Sequence, residues 1–174
     1  MDILKLKIIV VGMPSVGKTH LIKRFLKDKY NSSFKISVGI DIFTKYIEYE
    51  LDKIALLSIW DIGGQLRFKK SRRTFYKGAD GALVVFNPSR MRSFSEAKNY
   101  VEEIRQFVGE YIPFILVGNI INPSINKIYE VNKPIILQYA FNEDSMYIEI
   151  VPESDDNINL AFLELAKRII KTSS

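Results

Sequence analysis

The sequence predicts a three-layer α/β fold in which helices flank a mostly parallel sheet carrying one antiparallel edge strand. Three observations predict it. Short β-branched runs alternate with helically spaced apolar residues along the whole chain. Runs such as Ala82-Leu83-Val84-Val85-Phe86 are apolar without polar alternation, which marks strands covered on both faces. Two strand-like runs, 40–51 and 54–60, are joined by a tight turn at Asp52-Lys53, which reads as a hairpin.

The elements follow in order. Leu4 to Val11 begins with alternation and ends as a solid apolar run, a buried first strand. Residues 18–29 carry Leu21, Ile22, Phe25 and Leu26 at helical spacing. The hairpin comes next, then the apolar strand 82–86. Residues 94–108 are helical, with Ser93 as cap and Gly109 as stop. Phe114-Ile115-Leu116-Val117 is another buried strand. Pro134 suits the first turn of a helix running to about 141. Residues 146–150 form the last strand and 158–170 the last amphipathic helix. A chain of 174 residues favours one domain, 1–174, large enough to bury its own core.

Composition removes several functions. With 47% hydrophobic and 26% charged residues, the chain is neither collagen-like nor a disordered acidic tail. It has no cysteine, so it holds no disulfide, thiolate metal site or cysteine nucleophile, and no lipid anchor on cysteine is expected in this sequence. No apolar run is long enough to span a membrane. Asp2, Lys5 and Lys7 interrupt the N-terminal apolar stretch, unlike a signal peptide. A cytoplasmic protein is expected. The net charge of +5 is modest, and no nucleic-acid partner follows from it.

In such a sheet, ligands bind beyond the carboxyl ends of the strands. There the first strand runs into Gly12-Met13-Pro14-Ser15-Val16-Gly17-Lys18-Thr19, a match to G-x-x-x-x-G-K-[ST] between strand and helix. Glycines let the backbone curl so that successive N–H groups of Pro14 to Thr19 (Pro14 itself having none) face phosphate oxygens. The helix N-terminus adds its dipole. Lys18 can reach the β- and γ-phosphates, and the Thr19 hydroxyl can ligate Mg²⁺. After the third strand comes Trp60-Asp61-Ile62-Gly63-Gly64-Gln65. Asp61 can hold a Mg²⁺-bound water, Gly64 can present its N–H to the γ-phosphate, and Gln65 can orient an attacking water.

These motifs, with Tyr76-Lys77-Gly78-Ala79-Asp80-Gly81-Ala82 and Ala161-Phe162-Leu163-Glu164-Leu165-Ala166-Lys167, make the chain resemble a Ras-superfamily small GTPase, nearest the Rab branch. The Asp61 to Gln65 wording is also similar to the Arf branch. The resemblance covers essentially the whole chain. It implies the P-loop NTPase fold of small GTPases with six strands and about five helices, Mg²⁺-dependent binding of GTP and GDP, slow hydrolysis, and two switch loops. It places Ser37 where the family has a Mg²⁺-binding threonine, and Tyr30 or Phe34 near the ribose and base. Pro14 stands where a small residue usually lies, and its ring would crowd an activating protein's arginine finger.

The base-reading motifs depart from the family. Asn-Lys-x-Asp becomes Asn119-Ile120-Ile121-Asn122. Asn119 is kept. Ile120 retains apolar cover without the lysine charge. Asn122 is neutral, and only its oxygen accepts, so it cannot reproduce the paired contact of a carboxylate with guanine. That loss should cost roughly 1.5–3 kcal/mol. The Glu-Thr-Ser-Ala-Lys motif aligns with Glu149-Ile150-Val151-Pro152-Glu153, and Pro152 lacks the N–H that would meet guanine O6. Weakened guanine selectivity is therefore expected, with Val151 and Pro152 still walling the base.

In the Rab branch an aromatic trio meets effectors. The aligned positions are Ile42, Trp60 and Phe75, which read equally well as interface or as partly buried core. Effector, exchange-factor or activating proteins are the implied partners, and the chain is expected to be a monomer. Three functions fit: a slow GTPase switch, a degenerate pseudo-GTPase scaffold that holds nucleotide weakly, and, least favoured, another P-loop kinase or ATPase.

Overall fold

The structure is a computed structural model. It describes residues 3–27, 33–37, 39–65, 69–122 and 129–173, with side chains for all of these except 33–37. The elements in chain order are β1 (Leu4–Val11), α1 (Lys18–Leu26), β2 (Ser33–Ser37), β3 (Ile40–Glu50), β4 (Lys53–Ile62), α2 (Lys69–Tyr76), β5 (Gly81–Phe86), α3 (Met91–Phe107), β6 (Phe114–Asn119), α4 (Lys133–Asn142), β7 (Met146–Ile150) and α5 (Asp156–Ser173).

The six strands and five helices of the expected fold are all present. The sheet order is β2-β3-β4-β1-β5-β6-β7. β1, β4, β5, β6 and β7 pair in parallel, and β3 runs against its neighbours. A seventh strand, β2, pairs antiparallel outside β3. The antiparallel strand of the hairpin is thus present, but the five-residue β2 forms the rim beyond it. The segment Ser33-Phe34-Lys35-Ile36-Ser37 alternates polar and apolar residues, which suits a rim strand, but it is too short to stand out as a run.

Strand alternation divides the core in two. Leu6, Ile8 and Val10 of β1 face α1 and α5, where Leu21, Ile22 and Phe25 meet Phe162, Leu165 and Ile169. Phe25 and Phe162 stack with ring centroids 3.9 Å apart. Ile9 and Val11 face the other way, toward α3 and α4, where Phe94, Ala97, Val101 and Ile136 close the second layer. β1 therefore has both faces covered, which is why its second half reads as a continuous apolar run.

Local boundaries shift for identifiable reasons. α1 stops at Leu26 because Lys27 turns left-handed (φ +48°), its N–H bonding the Lys23 carbonyl at 3.2 Å. Ser93 does not cap α3. The helix starts earlier, with Arg90 as its extended N-cap residue, and the Ser93 hydroxyl is engaged elsewhere. It accepts the Asn87 N–H at 3.0 Å and lies 2.9 Å from the Asn87 carbonyl, stitching the loop between β5 and α3. α2 escaped the periodicity reading because its buried stripe includes a charged residue, Arg72, beside Tyr76. Among the described residues no helix is long and apolar enough to cross a membrane.

Candidate nucleotide-binding site

The carboxyl ends of β1, β4 and β6 gather the candidate residues at one edge of the sheet. The loop from Gly12 to Gly17 curls through two left-handed residues, Ser15 (φ +66°) and Gly17 (φ +88°). A Cβ on Gly12 would lie 2.2 Å from the Val85 carbonyl oxygen, so packing requires that glycine; at Gly17 the left-handed φ favours glycine, and a Cβ would also press on Asn119 Nδ2 at 2.6 Å. Gly17 is the N-cap of α1 and offers no side-chain acceptor, and the first turn holds no acidic residue. The leading N–H groups of α1 thus have no side-chain cap or first-turn carboxylate beside them, which suits an anion.

Lys18 is only 7% exposed. Its Nζ lies across the loop, donating to the carbonyls of Gly12 (3.0 Å) and Met13 (3.2 Å). Burial lowers its pKa from 10.5 to about 8, with the Asp61 charge opposing and Arg72 adding to the shift. A bound polyphosphate favours the ammonium and drives that pKa back up. Binding at about pH 8.5 should therefore take up a fraction of a proton, while binding at about pH 6.5, where Lys18 is already charged, should take up none through it. Titration calorimetry with tripolyphosphate in buffers of differing ionisation heat checks this. The linkage to folding has the same origin: between about pH 8 and 10.5 the unfolded chain binds the proton and the ligand-free fold does not, so the ligand-free fold gains stability as pH rises through that window.

The Thr19 hydroxyl donates to Asp61 Oδ2, joining the start of α1 to the end of β4. Burial pushes the Asp61 carboxyl up, and the Thr19 hydrogen bond and Lys18 charge hold it down. A hydroxyl and a carboxylate brought together beside a phosphate loop are the hard oxygen donors that Mg²⁺ prefers, so this pair fits the ion. Among the described residues no group of three or more His, Cys, Asp or Glu is placed to hold a metal ion. Ser37, the third expected metal residue, closes β2, and its side chain lies outside the described residues, as do Tyr30 and the Phe34 side chain.

Gly64 is wedged against the loop. A Cβ there would lie 2.2 Å from the Gly12 carbonyl oxygen and 2.9 Å from the Pro14 nitrogen. The Tyr100 hydroxyl donates to its carbonyl at 3.2 Å. Its neighbour Gly63 donates its N–H to the Gly39 carbonyl at 2.7 Å. Gln65 follows at the surface, as do Pro14 and Ser15, while Val16 is fully buried.

On the base side, Asn119 Nδ2 donates to the Val16 carbonyl at 2.8 Å, tying the base loop to the phosphate loop. Ile120 is buried, with its N–H on the Ile150 carbonyl at 2.8 Å, which sets it beside the Val151-Pro152 segment. Ile121, not singled out by the motif, is the half-exposed side chain whose Cδ1 comes 3.9 Å from where a Gly17 Cβ would be. Asn122 and Pro152 are exposed and Val151 is half-buried. The carbonyls of Val151 and Pro152 turn to Arg24 of α1.

The three candidate interface residues share one face. Ile42 and Trp60 are cross-strand partners in β3 and β4, and Trp60 lies 6.2 Å from Phe75 between ring centroids. All three are half-buried, and Lys7 Nζ sits 3.7 Å above the indole. Sequence reasoning missed Tyr100, Arg24 and the pairing of Arg72 with Glu103, because their contacts lie outside any local motif; Arg72 reads in the sequence as part of a solvated basic run with Lys69, Lys70 and Arg73, and the structure buries it. A cavity of about 660 Å³ lies at the opposite end of β6, between Ile112, Phe114, Glu143 and Lys167. It is remote from the phosphate loop and belongs to none of these residues.

The Ras family model matches residues 7–171. The chain is 32% identical over 164 residues to the Ras-related protein SEC4 of Candida albicans, covering 94% of this chain and 77% of that protein. It is 30% identical over 176 residues to the Ypt/Rab-type GTPase YPT7 of Saccharomyces cerevisiae, covering 95% and 82%. It is 32% identical over 168 residues to the Ras-related protein Rab-18 of Lymnaea stagnalis, covering 96% and 81%. With the parallel sheet, the phosphate loop at its carboxyl edge and a match over nearly the whole length, the chain belongs to the Ras family, as a Rab-like small GTPase.

Proposed function

We propose that this chain is a nucleotide-dependent switch that binds GTP and GDP with Mg²⁺, hydrolyses GTP slowly, and reads the guanine base less stringently than its family pattern would. The observation that carries this reading is the convergence of Lys18, the Thr19–Asp61 pair and Gly64 on one curled loop. Lys18 would exchange its two carbonyl partners for β- and γ-phosphate oxygens. Thr19, Asp61 (through water) and Ser37 would hold Mg²⁺, which supplies charge neutralisation when bound. The Gly64 N–H would meet the γ-phosphate, and Gln65 would orient the nucleophilic water. Catalysis here is positioning and charge stabilisation, with no covalent step.

Relaxed selectivity rests on Asn122 and Pro152, which remove an acceptor pair and a donor from the base contacts. Asn119, Ile120 and Val151 would remain as walls. With affinities for GDP, GTP, XTP and ATP measured side by side, the preference of GTP over XTP and ATP should be smaller, by roughly ten- to a hundredfold, than in a variant with Asn122→Asp. Tight binding of GTP and GDP with strong rejection of XTP and ATP would overturn the relaxed reading.

A scaffold that binds nucleotide weakly is the second reading, favoured by those same two residues. Single-turnover hydrolysis separates them: the switch reading expects measurable turnover that Gln65→Leu abolishes, and the scaffold reading expects no difference. Ile42, Trp60 and Phe75 form the surface for effector, exchange-factor or activating proteins, with Pro14 hindering an arginine finger. The chain would work as a monomer.

A further inference from the structure

Arg24 lies on α1, the same nine-residue helix that begins with Lys18. Its side chain is 16% exposed and leaves the helix toward the loop between β7 and α5. One guanidinium serves that whole loop. Nη2 donates to the carbonyls of Val151 (2.9 Å) and Ser154 (2.9 Å) and lies 3.4 Å from that of Pro152. Nε donates to Asp155 Oδ1 at 2.9 Å. These are charge-assisted contacts from a rigid planar fork. In a trans peptide the carbonyl and the following N–H point opposite ways. Turning the Pro152 carbonyl to Arg24 therefore turns the Glu153 N–H to the far side of the loop.

We propose that Arg24 is a positioning residue for the nucleobase: it locks the base-side loop 151–155 onto the helix that carries the phosphate grip. The proposal rests on the nucleotide-binding reading above. Two ties then link base side to phosphate side. Asn119 joins the β6 loop to Val16, and Arg24 joins the β7 loop to α1. Lysine at this position carries three donors on a single nitrogen, but it lacks the planar fork that reaches the carbonyls and Asp155 together. The loop that walls the base is held from behind, by a residue that itself touches no nucleotide.

The test compares a ligand with a base and one without. Affinities of GDP and of inorganic tripolyphosphate, both with Mg²⁺, are measured for the wild type, Arg24→Gln, Arg24→Lys and Asp155→Asn, with Tm of the ligand-free proteins alongside. Arg24→Gln should weaken GDP about tenfold and tripolyphosphate less than about twofold, with Arg24→Lys in between. Asp155→Asn keeps the carbonyl contacts, leaves the fold least disturbed, and should show a smaller loss of GDP alone. Equal losses for both ligands, or no loss of GDP in any variant, overturn the proposal, because a merely structural role moves both ligands together. A wild type that binds tripolyphosphate no worse than GDP also overturns it while leaving the phosphate site standing. A wild type that binds neither brings down the nucleotide reading as well.

Discussion

Replacing Glu103 by leucine should cost the fold about 3–5 kcal/mol, the range found when one partner of a buried ion pair is removed. Glu103 is 8% exposed and Arg72 5%. The pair is bidentate, Nε to Oε1 at 2.9 Å and Nη2 to Oε2 at 3.0 Å, and it joins α2 to α3. The guanidinium also lies 4.8 Å from the centre of the Tyr100 ring. Without Glu103 the guanidinium stays charged and buried with no counter-ion, since arginine does not give up its proton. The double replacement Arg72→Met with Glu103→Leu removes both charges and should recover most of the loss. Urea denaturation of the wild type, both single variants and the double variant closes the cycle. A double variant as unstable as the sum of the singles would show that packing rather than charge holds α2 in place.

Gly64→Ala should lower single-turnover hydrolysis by about a hundredfold or more, the penalty that a misplacement of about 1 Å imposes on reacting groups. The new methyl carbon would sit 2.2 Å from the Gly12 carbonyl oxygen and 2.9 Å from the Pro14 nitrogen. Both are backbone atoms of the phosphate loop, so neither can swing aside. The segment carrying Gly64 and Gln65 must back away, and the Tyr100 hydroxyl bond to the Gly64 carbonyl goes with it. Diphosphate affinity should change little, because Lys18 and the loop amides stay in place. A variant with full hydrolysis, or one that loses diphosphate equally, would contradict the close approach assigned to this glycine.

The layered fold was legible because its strands are buried on both faces and therefore apolar without interruption, as Ala82 to Phe86 shows. β2 was not, since five residues on the rim of a sheet carry too short a pattern. α2 was missed because a charged pair fills part of its buried face, and Ser93 was misplaced as a cap because its hydroxyl serves a loop six residues upstream. In the site, the residues of contiguous motifs could be found from the text: Lys18, Thr19, Asp61, Gly64 and Asn119 all converge. Arg24 and Tyr100 could not. Their partners lie 127 and 36 positions away, and no local spacing encodes a contact of that kind.

The placement of β1 has a consequence for how a bound molecule would leave. This strand is hydrogen-bonded on both sides, to β4 and β5, and its last four residues are wholly inaccessible to solvent. Such a strand opens only with the whole fold. The cradle hangs from a part of the molecule whose opening costs as much as unfolding, so a bound molecule would have to leave without that foundation yielding.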